Sequence, residues 1–574
     1  GSSLVPPKSP TLISPVLSPR GSLVMQKSSS IGRRMLESLS GLVSQLSLRN
    51  SPTASVDRLE AIPARPIPTA AVSQQEAEVV EYPSEERPRL LGQLRRQPSL
   101  SLQVIVENHR NINDCYDMEL AAVIGKGSYG LVKRATLKAT GAVRAVKAVS
   151  KERMKDRELS LKREIQIMKR LDHPNVIRLY ELFEDDENIY IITELCPGGD
   201  LMGLVIRAGH LCEARASEAM VQILRAVFYM HERDISHRDL KPENFLFKTK
   251  DPIEDNVLKI IDFGLSCHSK PGTVHTQIAG SAQYVAPQVL RRRYDRMCDM
   301  WSCGVIMYTL LCGQSPFHAA NDEQIMAKVR TGGFSFNGRN WAQVSNDAKD
   351  LIRHLLKMQP SLRYTADQAL SHEWIRRQAP RAQNVPLEDG FLENLRDFRE
   401  KSTLKKAALH VIALHMEDSN LQRLRETFTA LDAKGDGCLC INELMEGLER
   451  AGLQEVPADL EQILEGVDVN GSGVIDYTEF LAASLDRQFY QDEDACRSAF
   501  SAFDRDGDGV ISKRELTKVL DADAAMDAQE LTDLSGGMDF QDFLRLMRSE
   551  RGLPFAGQRE QGASGETAVG GQVE

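Results

Sequence analysis

His237-Arg238-Asp239-Leu240-Lys241-Pro242-Glu243-Asn244, followed by Asp262-Phe263-Gly264 behind the strand-like run Val257 to Ile261, is the stretch whose reading decides the fold. It supplies a carboxylate, an ammonium group, an amide and a second carboxylate at short spacing. Phosphoryl transfer asks for little covalent chemistry from a protein. It needs positioning, a carboxylate at the attacking hydroxyl and oxygen ligands for magnesium. On this reading Asp239 accepts or orients the hydroxyl proton, Lys241 neutralises the transferring group, and Asn244 and Asp262 hold the metal.

Working outward, Gly125-Lys126-Gly127-Ser128-Tyr129-Gly130 lies between the apolar pairs Val123-Ile124 and Leu131-Val132. A glycine-rich segment between two strands lays backbone N–H groups over nucleotide phosphates, whereas a dinucleotide-binding loop would open a helix. Seventeen residues beyond Gly130, Ala145-Val146-Lys147 places a cation in a strand, and seventeen further on Glu164 stands in a helical stretch. Alone, a glycine-rich turn is a weak signal and a lysine and a glutamate are ordinary surface residues. The pattern from about Tyr116 to Ile375 is a small β-rich lobe followed by a larger helical one.

In the order of these motifs the chain resembles the eukaryotic protein kinases, and the resemblance continues through Ala286-Pro287, Asp299-Met300-Trp301-Ser302 with Gly304, and Arg363. It implies a bilobal α+β kinase fold over 116–375. ATP would lie among Ile124, Gly125, Gly127, Gly130, Val132, Ala145, Lys147 and Leu246, with Glu194 to Cys196 as hinge, Thr193 gating the pocket behind it, and Asp262 at the phosphates. Asp239, Lys241, Asn244, Lys147 and Glu164 would form the catalytic set, and Met168, Leu179, His237 and Phe263 an apolar stack between the lobes. Lys241 resembles the serine/threonine class. Asp200 and Glu243 match carboxylates that bind arginines upstream of the acceptor, which implies protein substrates with Ser or Thr near Arg or Lys.

Two positions depart from the family pattern. Gln288 follows Ala286-Pro287 where a glutamate is usual, so the buried pair with Arg363 becomes a charge-neutral hydrogen bond. Gln277 stands where many kinases carry an activating phosphothreonine opposite Arg238, leaving Thr273 and Thr276 as substitutes. Neither change touches the catalytic set. A calcium-responsive pseudokinase scaffold, binding partners without turnover, is the alternative reading.

The second half carries Asp-rich loops beginning at Asp432, Asp468 and Asp504, each 36 residues after the last. Calcium takes six to eight hard ligands, which a 12-residue EF-hand loop supplies from positions 1, 3, 5, 7 and 9 with a bidentate glutamate at 12 and glycine at 6. Loop 468–479 meets every requirement with Asp468, Asn470, Ser472, Val474, Asp476 and Glu479. So does loop 504–515, with Asp504, Asp506, Asp508, Val510, Ser512 and Glu515. Loop 432–443 keeps Asp432, Asp436, the Cys438 carbonyl position and Glu443, but Lys434 and Cys440 stand at positions 3 and 9, so it is expected to bind weakly or serve structurally. A degenerate fourth loop, 531–542, completes the second pair by packing.

Between the halves, Leu404, Ala408, Val411 and Leu414 line one face of a helix that carries Lys401, Lys405 and Lys406 on other faces. Kinase (116–375), linker (376–388), junction helix (389–418) and an all-α calmodulin-like domain (421–548) resemble the layout of the calcium-dependent protein kinases of plants and protists. That resemblance implies ATP, Mg2+ and Ca2+ as cofactors and a junction helix bound intramolecularly by the EF-hands.

The whole chain, 574 residues, exceeds a single core several-fold. Its net charge of -10 argues against a nucleic-acid-coating protein, and its ten cysteines lack CxxC pairing, which suits a cytoplasmic, reducing setting. Twelve of the 24 prolines fall in 1–112, together with Ser-Pro steps at Ser9, Ser14, Ser18 and Ser51, so this extension is expected to be largely disordered. Within it, Met35, Leu36, Leu39, Leu42, Val43 and Leu46 mark a short apolar face, and Leu94-x-Arg96-x-x-Ser99 a candidate self-phosphorylation site. The tail 549–574 reads as flexible. No stretch is long and apolar enough to span a membrane, and membrane association is not evident.

Overall fold

The computed structural model describes residues 106–549 apart from 109, 119–122, 127–129, 155–157, 379–389, 417, 451–456 and 521–536. The apolar face at 35–46, Ser99 and the tail lie outside the described residues. So do Gly127 and the first six positions of loop 531–542.

Strands β1 (Val106–Asn108), β2 (Tyr116–Asp117), β3 (Val123–Lys126), β4 (Gly130–Leu137), β5 (Val143–Ser150), β6 (Leu179–Glu184) and β7 (Asn188–Glu194) share one sheet. Their order is β1-β6-β7-β5-β4-β2, with β3 also on β4. All pairings are antiparallel except β1 on β6. β-Branched residues suit this sheet, and Ala145, Val146 and Val149 of β5 are buried, Val146 and Val149 on opposite faces. Helix α1 (Glu158–Met168) buries Leu161, Glu164, Ile167 and Met168, a stripe spaced by three and four. Glu164 is the one charged member of that stripe.

The larger lobe contains α2 (Leu201–Ala208), α3 (Glu213–Glu232), α4 (Met297–Cys312), α5 (Asn346–Leu355) and α6 (Glu373–Gln378). Asp200 caps α2 by accepting from Gly203 N at 2.7 Å. Helix α4 is buried from Cys298 to Cys312, and a Cβ on Gly304 would come within 2.8 Å of Leu355 and Leu356, so α4 and α5 meet only because this residue is glycine. Helix α6 continues through Gln378, past Arg376 where a linker is expected. Trp374 and Ile375 anchor it in the core, and Arg377 pairs with Glu373 at 2.7 Å one turn back. Short strands β8 (Phe245–Phe247) and β9 (Leu258–Ile260) pair antiparallel below the cleft and place Asn244 and Asp262 at their ends.

The junction is two helices, α7 (Phe391–Arg399) and α8 (Thr403–His415), with Ser402 as the N-cap of the second. The EF-hand region follows with α9 (Asp418–Leu431), α10 (Ile441–Arg450), α11 (Leu460–Val467), α12 (Tyr477–Ser484), α13 (Glu493–Phe503), α14 (Lys513–Leu520) and α15 (Phe540–Arg548). Two-residue strands join the loops in pairs: β10 (Cys438–Leu439) with β11 (Ile475–Asp476), and β12 (Val510–Ile511) with β13 (Met538–Asp539). Leu439 faces Ile475 and Ile511 faces Met538, the eighth position of each loop, so the degenerate fourth hand keeps its pairing strand. One core unites α7, α8 and the hands, while Leu414 and Cys438 reach out of this region into the two cores of the kinase-like lobes. No helix among the described residues is long and apolar enough to cross a membrane.

Candidate active site and metal loops

Strand pairing assembles the roof of the cleft. Val132 lies opposite Lys147 in the β4–β5 ladder, and Ala145 opposite Thr193 in the β5–β7 ladder. A Cβ on Gly130 would fall 1.7 Å from the Ala148 carbonyl oxygen, so this close strand approach requires glycine. Ile124 and Gly125 lie on β3, Leu246 on β8, and Cys196 is half-buried beyond β7. Lys147 Nζ reaches Glu164 Oε1 at 2.7 Å. Burial pulls the ammonium pKa down, but Glu164 and then Asp262 outweigh it and leave it raised, so the lysine is a firm cation. Glu194 gives its carboxylate to Lys248 at 2.8 Å, Lys259 at 2.9 Å and Arg178 N at 2.8 Å. Burial raises its pKa, yet these cations hold it well below the usual carboxylate range. The Glu194 side chain is thereby engaged within the protein, which leaves the backbone of 194–196 as the part of this segment that could meet a nucleotide.

The floor is organised by Asp299, fully buried at the start of α4. It accepts from His231 Nε2 at 3.0 Å, Ser236 Oγ at 2.8 Å, His237 N at 3.0 Å and Arg238 N at 2.8 Å. Two backbone N–H groups thus hold the turn in which Arg238 adopts φ 69°. Asp239 Oδ1 accepts from both Ser281 N and Ser281 Oγ at 2.8 Å, and its Oδ2 accepts from Lys241 Nζ at 2.6 Å. Lys241 also reaches Ser281 Oγ at 3.1 Å. Asn244 donates through Nδ2 to the Asp239 carbonyl at 2.9 Å, which commits its nitrogen and leaves Oδ1 as the atom that could serve a metal. Phe263 packs edge-on against His237 with ring centroids 5.3 Å apart, and Met168 and Leu179 are buried in the same core.

Sequence reasoning assigned no role to Ser281 or Asp299. Gly280, at φ 103°, precedes Ser281, and a Cβ there would fall 2.7 Å from the Arg238 carbonyl oxygen, so the two loops cross tightly at this point. Arg238 donates to the Leu265 carbonyl at 2.6 Å and to Tyr294 Oη at 3.1 Å, while Tyr294 donates to the Gln277 carbonyl at 2.8 Å. Neutral groups therefore engage the Arg238 guanidinium. Arg363 donates to Gln288 Oε1 at 3.2 Å and to the Lys357 carbonyl, and burial drops its pKa to about 10. Gln288 Nε2 is buried without a hydrogen-bond partner.

In loop 504–515 the carboxylates of Asp504, Asp506 and Asp508 bring one oxygen each to within 4.8 Å of one another. Glu515 closes the loop by accepting from Arg505 N at 2.7 Å and Ser512 N at 2.8 Å. In loop 468–479, Asp468 accepts from Gly473 N at 2.8 Å, and Glu479 accepts from Val469 N at 3.0 Å and Asp476 N at 2.9 Å. Burial, then Asp476, pushes the Glu479 pKa well above the usual carboxylate range. Such oxygen donors and crowded carboxylates fit a calcium ion, which relieves their mutual repulsion. Ser472, Val474, Val510 and Ser512 stand on the same loops.

Loop 432–443 is closed differently. Lys434 Nζ lies 3.3 Å from Cys440 Sγ and 3.5 Å from Glu443 Oε2, and Lys434 N donates to Glu443 Oε1 at 3.0 Å. Asp432 accepts from Gly435 N at 2.7 Å and Gly437 N at 3.1 Å, and Asp436 from Cys438 N at 3.1 Å. The loop keeps EF-hand geometry around an ammonium group of its own.

Helix α8 is held from every side. Lys405 is 2% exposed and donates to the Leu546 and Ser549 carbonyls at 3.2 and 2.6 Å; Lys406 donates to the Gly466 carbonyl at 2.9 Å. Of the lysines expected on the other faces of this helix, Lys405 and Lys406 are thus caught by carbonyls of the EF-hand region, while Lys401 precedes the helix and lies over the Tyr490 ring. At its C-terminus, the Ala413 and Leu414 carbonyls accept from Arg178 at 3.3 and 3.0 Å, and His415 stacks on Tyr180 at 5.4 Å. Cations at this end also meet the negative end of the helix dipole.

Residues 118–375 match the protein kinase domain family, 421–485 an EF-hand domain pair and 497–520 an EF hand. Calcium-dependent protein kinase 5 of Plasmodium falciparum is 41% identical over 420 residues, covering 73% of each chain. Calcium-dependent protein kinase 3 of Plasmodium berghei is 42% identical over 412 residues, covering 71% of this chain and 73% of the relative. Calcium-dependent protein kinase 34 of Arabidopsis thaliana is 36% identical over 440 residues, covering 75% of this chain and 84% of the relative.

Proposed function

The chain belongs to the calcium-dependent protein kinase family, and from that premise we propose that it transfers the ATP γ-phosphate to Ser or Thr hydroxyls in basic contexts when calcium sets its EF-hands on the junction helix. The observation that carries this reading is the capture of α8. The EF-hand region encloses its sides through Lys405 and Lys406, and the kinase lobe holds its end through Arg178. A junction segment held this way is kept from acting elsewhere on the kinase.

In the cleft, Lys147, held by Glu164, would grip the nucleotide phosphates, and Asn244 and Asp262 would hold magnesium, which supplies charge neutralisation when bound. Asp239 would orient the acceptor hydroxyl and take its proton while Lys241 balances charge on the moving phosphoryl group. Ser281 fixes the Asp239 carboxylate, and Asp299 fixes the turn that carries it. Asp200 and the exposed Glu243 would receive substrate arginines. Loops 468–479 and 504–515 would bind calcium, while loop 432–443 serves structurally through Lys434. The pseudokinase reading is disfavoured because each member of the catalytic set is present.

Phosphorylation of an Arg-containing peptide, titrated with calcium, tests the proposal. Glu479→Gln with Glu515→Gln should abolish calcium stimulation, and stimulation that survives both changes refutes this route. Asp239→Ala separates turnover from scaffolding: equal background transfer by wild type and variant would favour the scaffold.

A further inference from the structure

The second calcium loop does not hang free of the kinase lobe. Thr478, its eleventh residue, donates through N to Asp172 Oδ2 at 2.7 Å and through Oγ1 to Asp172 Oδ1 at 2.8 Å. Asp476, its ninth, accepts from Arg233 Nη2 at 2.6 Å. Asp172 lies in the turn after α1, and Arg233 directly follows α3. Buried Tyr229 ties the two together: its hydroxyl accepts from Asp172 N at 2.7 Å, and the Arg233 guanidinium lies 3.8 Å above its ring.

We propose that Asp172 and Arg233 are positioning residues for the second calcium loop, so that calcium binding there and docking of the first EF-hand pair on the kinase lobe strengthen each other. Asp172 fixes the first turn of α12, which carries Glu479, the residue that closes the loop. In an undocked chain the ordering of that turn falls on the binding of the ion; in the docked chain it is already done. Arg233 engages one Asp476 oxygen directly while Asp172 acts through Thr478, so the coupling is argued from the preordered turn rather than from charge. The other polar partners of Asp476, Cys438 at 3.3 Å and Asn470 at 2.9 Å, belong to the EF-hand pair itself. The coupling is reciprocal by linkage: whatever the kinase lobe adds to calcium affinity, calcium adds to docking.

The biological consequence rests on the activation route proposed above, but the coupling is read without kinase activity. In full-length protein carrying Glu515→Gln, to silence the third loop, calcium titration by calorimetry reports the second loop. Asp172→Ala should weaken calcium binding on the order of 10-fold. Thr478→Val, which keeps the backbone donor, should weaken it less, and in the Asp172→Ala background should add nothing. Unchanged or tighter binding in Asp172→Ala, or simple additivity of the two changes, overturns the proposal. If Asp172→Ala does not fold, Thr478→Val alone carries the test, and unchanged binding in it overturns the proposal. A shift in affinity alongside calcium stimulation that survives Glu479→Gln and Glu515→Gln would sink the activation route and leave the coupling standing.

Discussion

Lys434 Nζ lies 3.5 Å from Glu443 Oε2, so the residue at position 3 of the first loop supplies a cation to the carboxylate that would otherwise close on calcium. Its backbone N–H holds the other Glu443 oxygen. Calcium would have to expel a charge that is already in place. Lys434→Asp with Cys440→Asp should therefore add one calcium per chain, counted by calorimetry; either change alone should add only a weak site.

Asp239→Asn keeps the shape of the catalytic loop and the contact with Ser281 but cannot take a proton. The rate of peptide phosphorylation should fall roughly 10²- to 10⁴-fold with the melting temperature nearly unchanged, measured in single-turnover and thermal-shift assays.

Arg238 is satisfied by the Leu265 carbonyl and Tyr294. Thr273→Ala with Thr276→Ala should accordingly leave calcium-stimulated activity within about twofold of wild type. Tyr294→Phe should lower it, because Arg238 then loses a partner and the Gln277 carbonyl loses its donor.

Gln288 leaves Arg363 without a charged partner and strands its own amide nitrogen. Gln288→Glu removes the stranded donor and supplies the opposite charge. It should stabilise the kinase lobe by about 1–3 kcal/mol, seen as a rise of a few degrees in its melting temperature.

Burial, then repulsion from Lys401, brings Lys405 and Lys406 to about 8 from an ordinary value of 10.5. Because the folded value lies below the unfolded one, the unfolded chain holds more protons between pH about 8 and about 10.5, and stability rises with pH across that window. Relative to Lys405→Met with Lys406→Met, the wild-type EF-hand region should gain in urea midpoint on going from pH 7.5 to 9.5. An unchanged difference between the two proteins would count against the buried-lysine account.

Much of the cleft was legible because its chemistry lies in short motifs. Lys147 and Glu164 could be read as a pair only through the resemblance that the surrounding motifs carry, since alone each is an ordinary surface residue. The two oxygen-complete loops stand out in the sequence because all their candidate ligands lie within twelve consecutive residues. Ser281 and Asp299 were not, because each acts on a partner about 40 to 60 residues away and neither type is distinctive by itself. The junction misled in one respect: Lys405 and Lys406 fall off the apolar stripe, and only the surrounding carbonyls of Gly466, Leu546 and Ser549 make them buried donors.

By itself the sequence determined which groups are chemically available: a nucleotide-type cleft, two oxygen-complete loops and a third with a lysine where an oxygen should be. Tertiary structure alone decided where those groups are spent. Whether Lys434 turns onto Glu443, whether Arg233 reaches Asp476, and whether α8 is enclosed or exposed depend on contacts between segments far apart in the chain. Side-chain periodicity constrains a face within one element; it carries no information about which distant surface will cover that face, since apolar burial is non-directional and is resolved only when the elements pack.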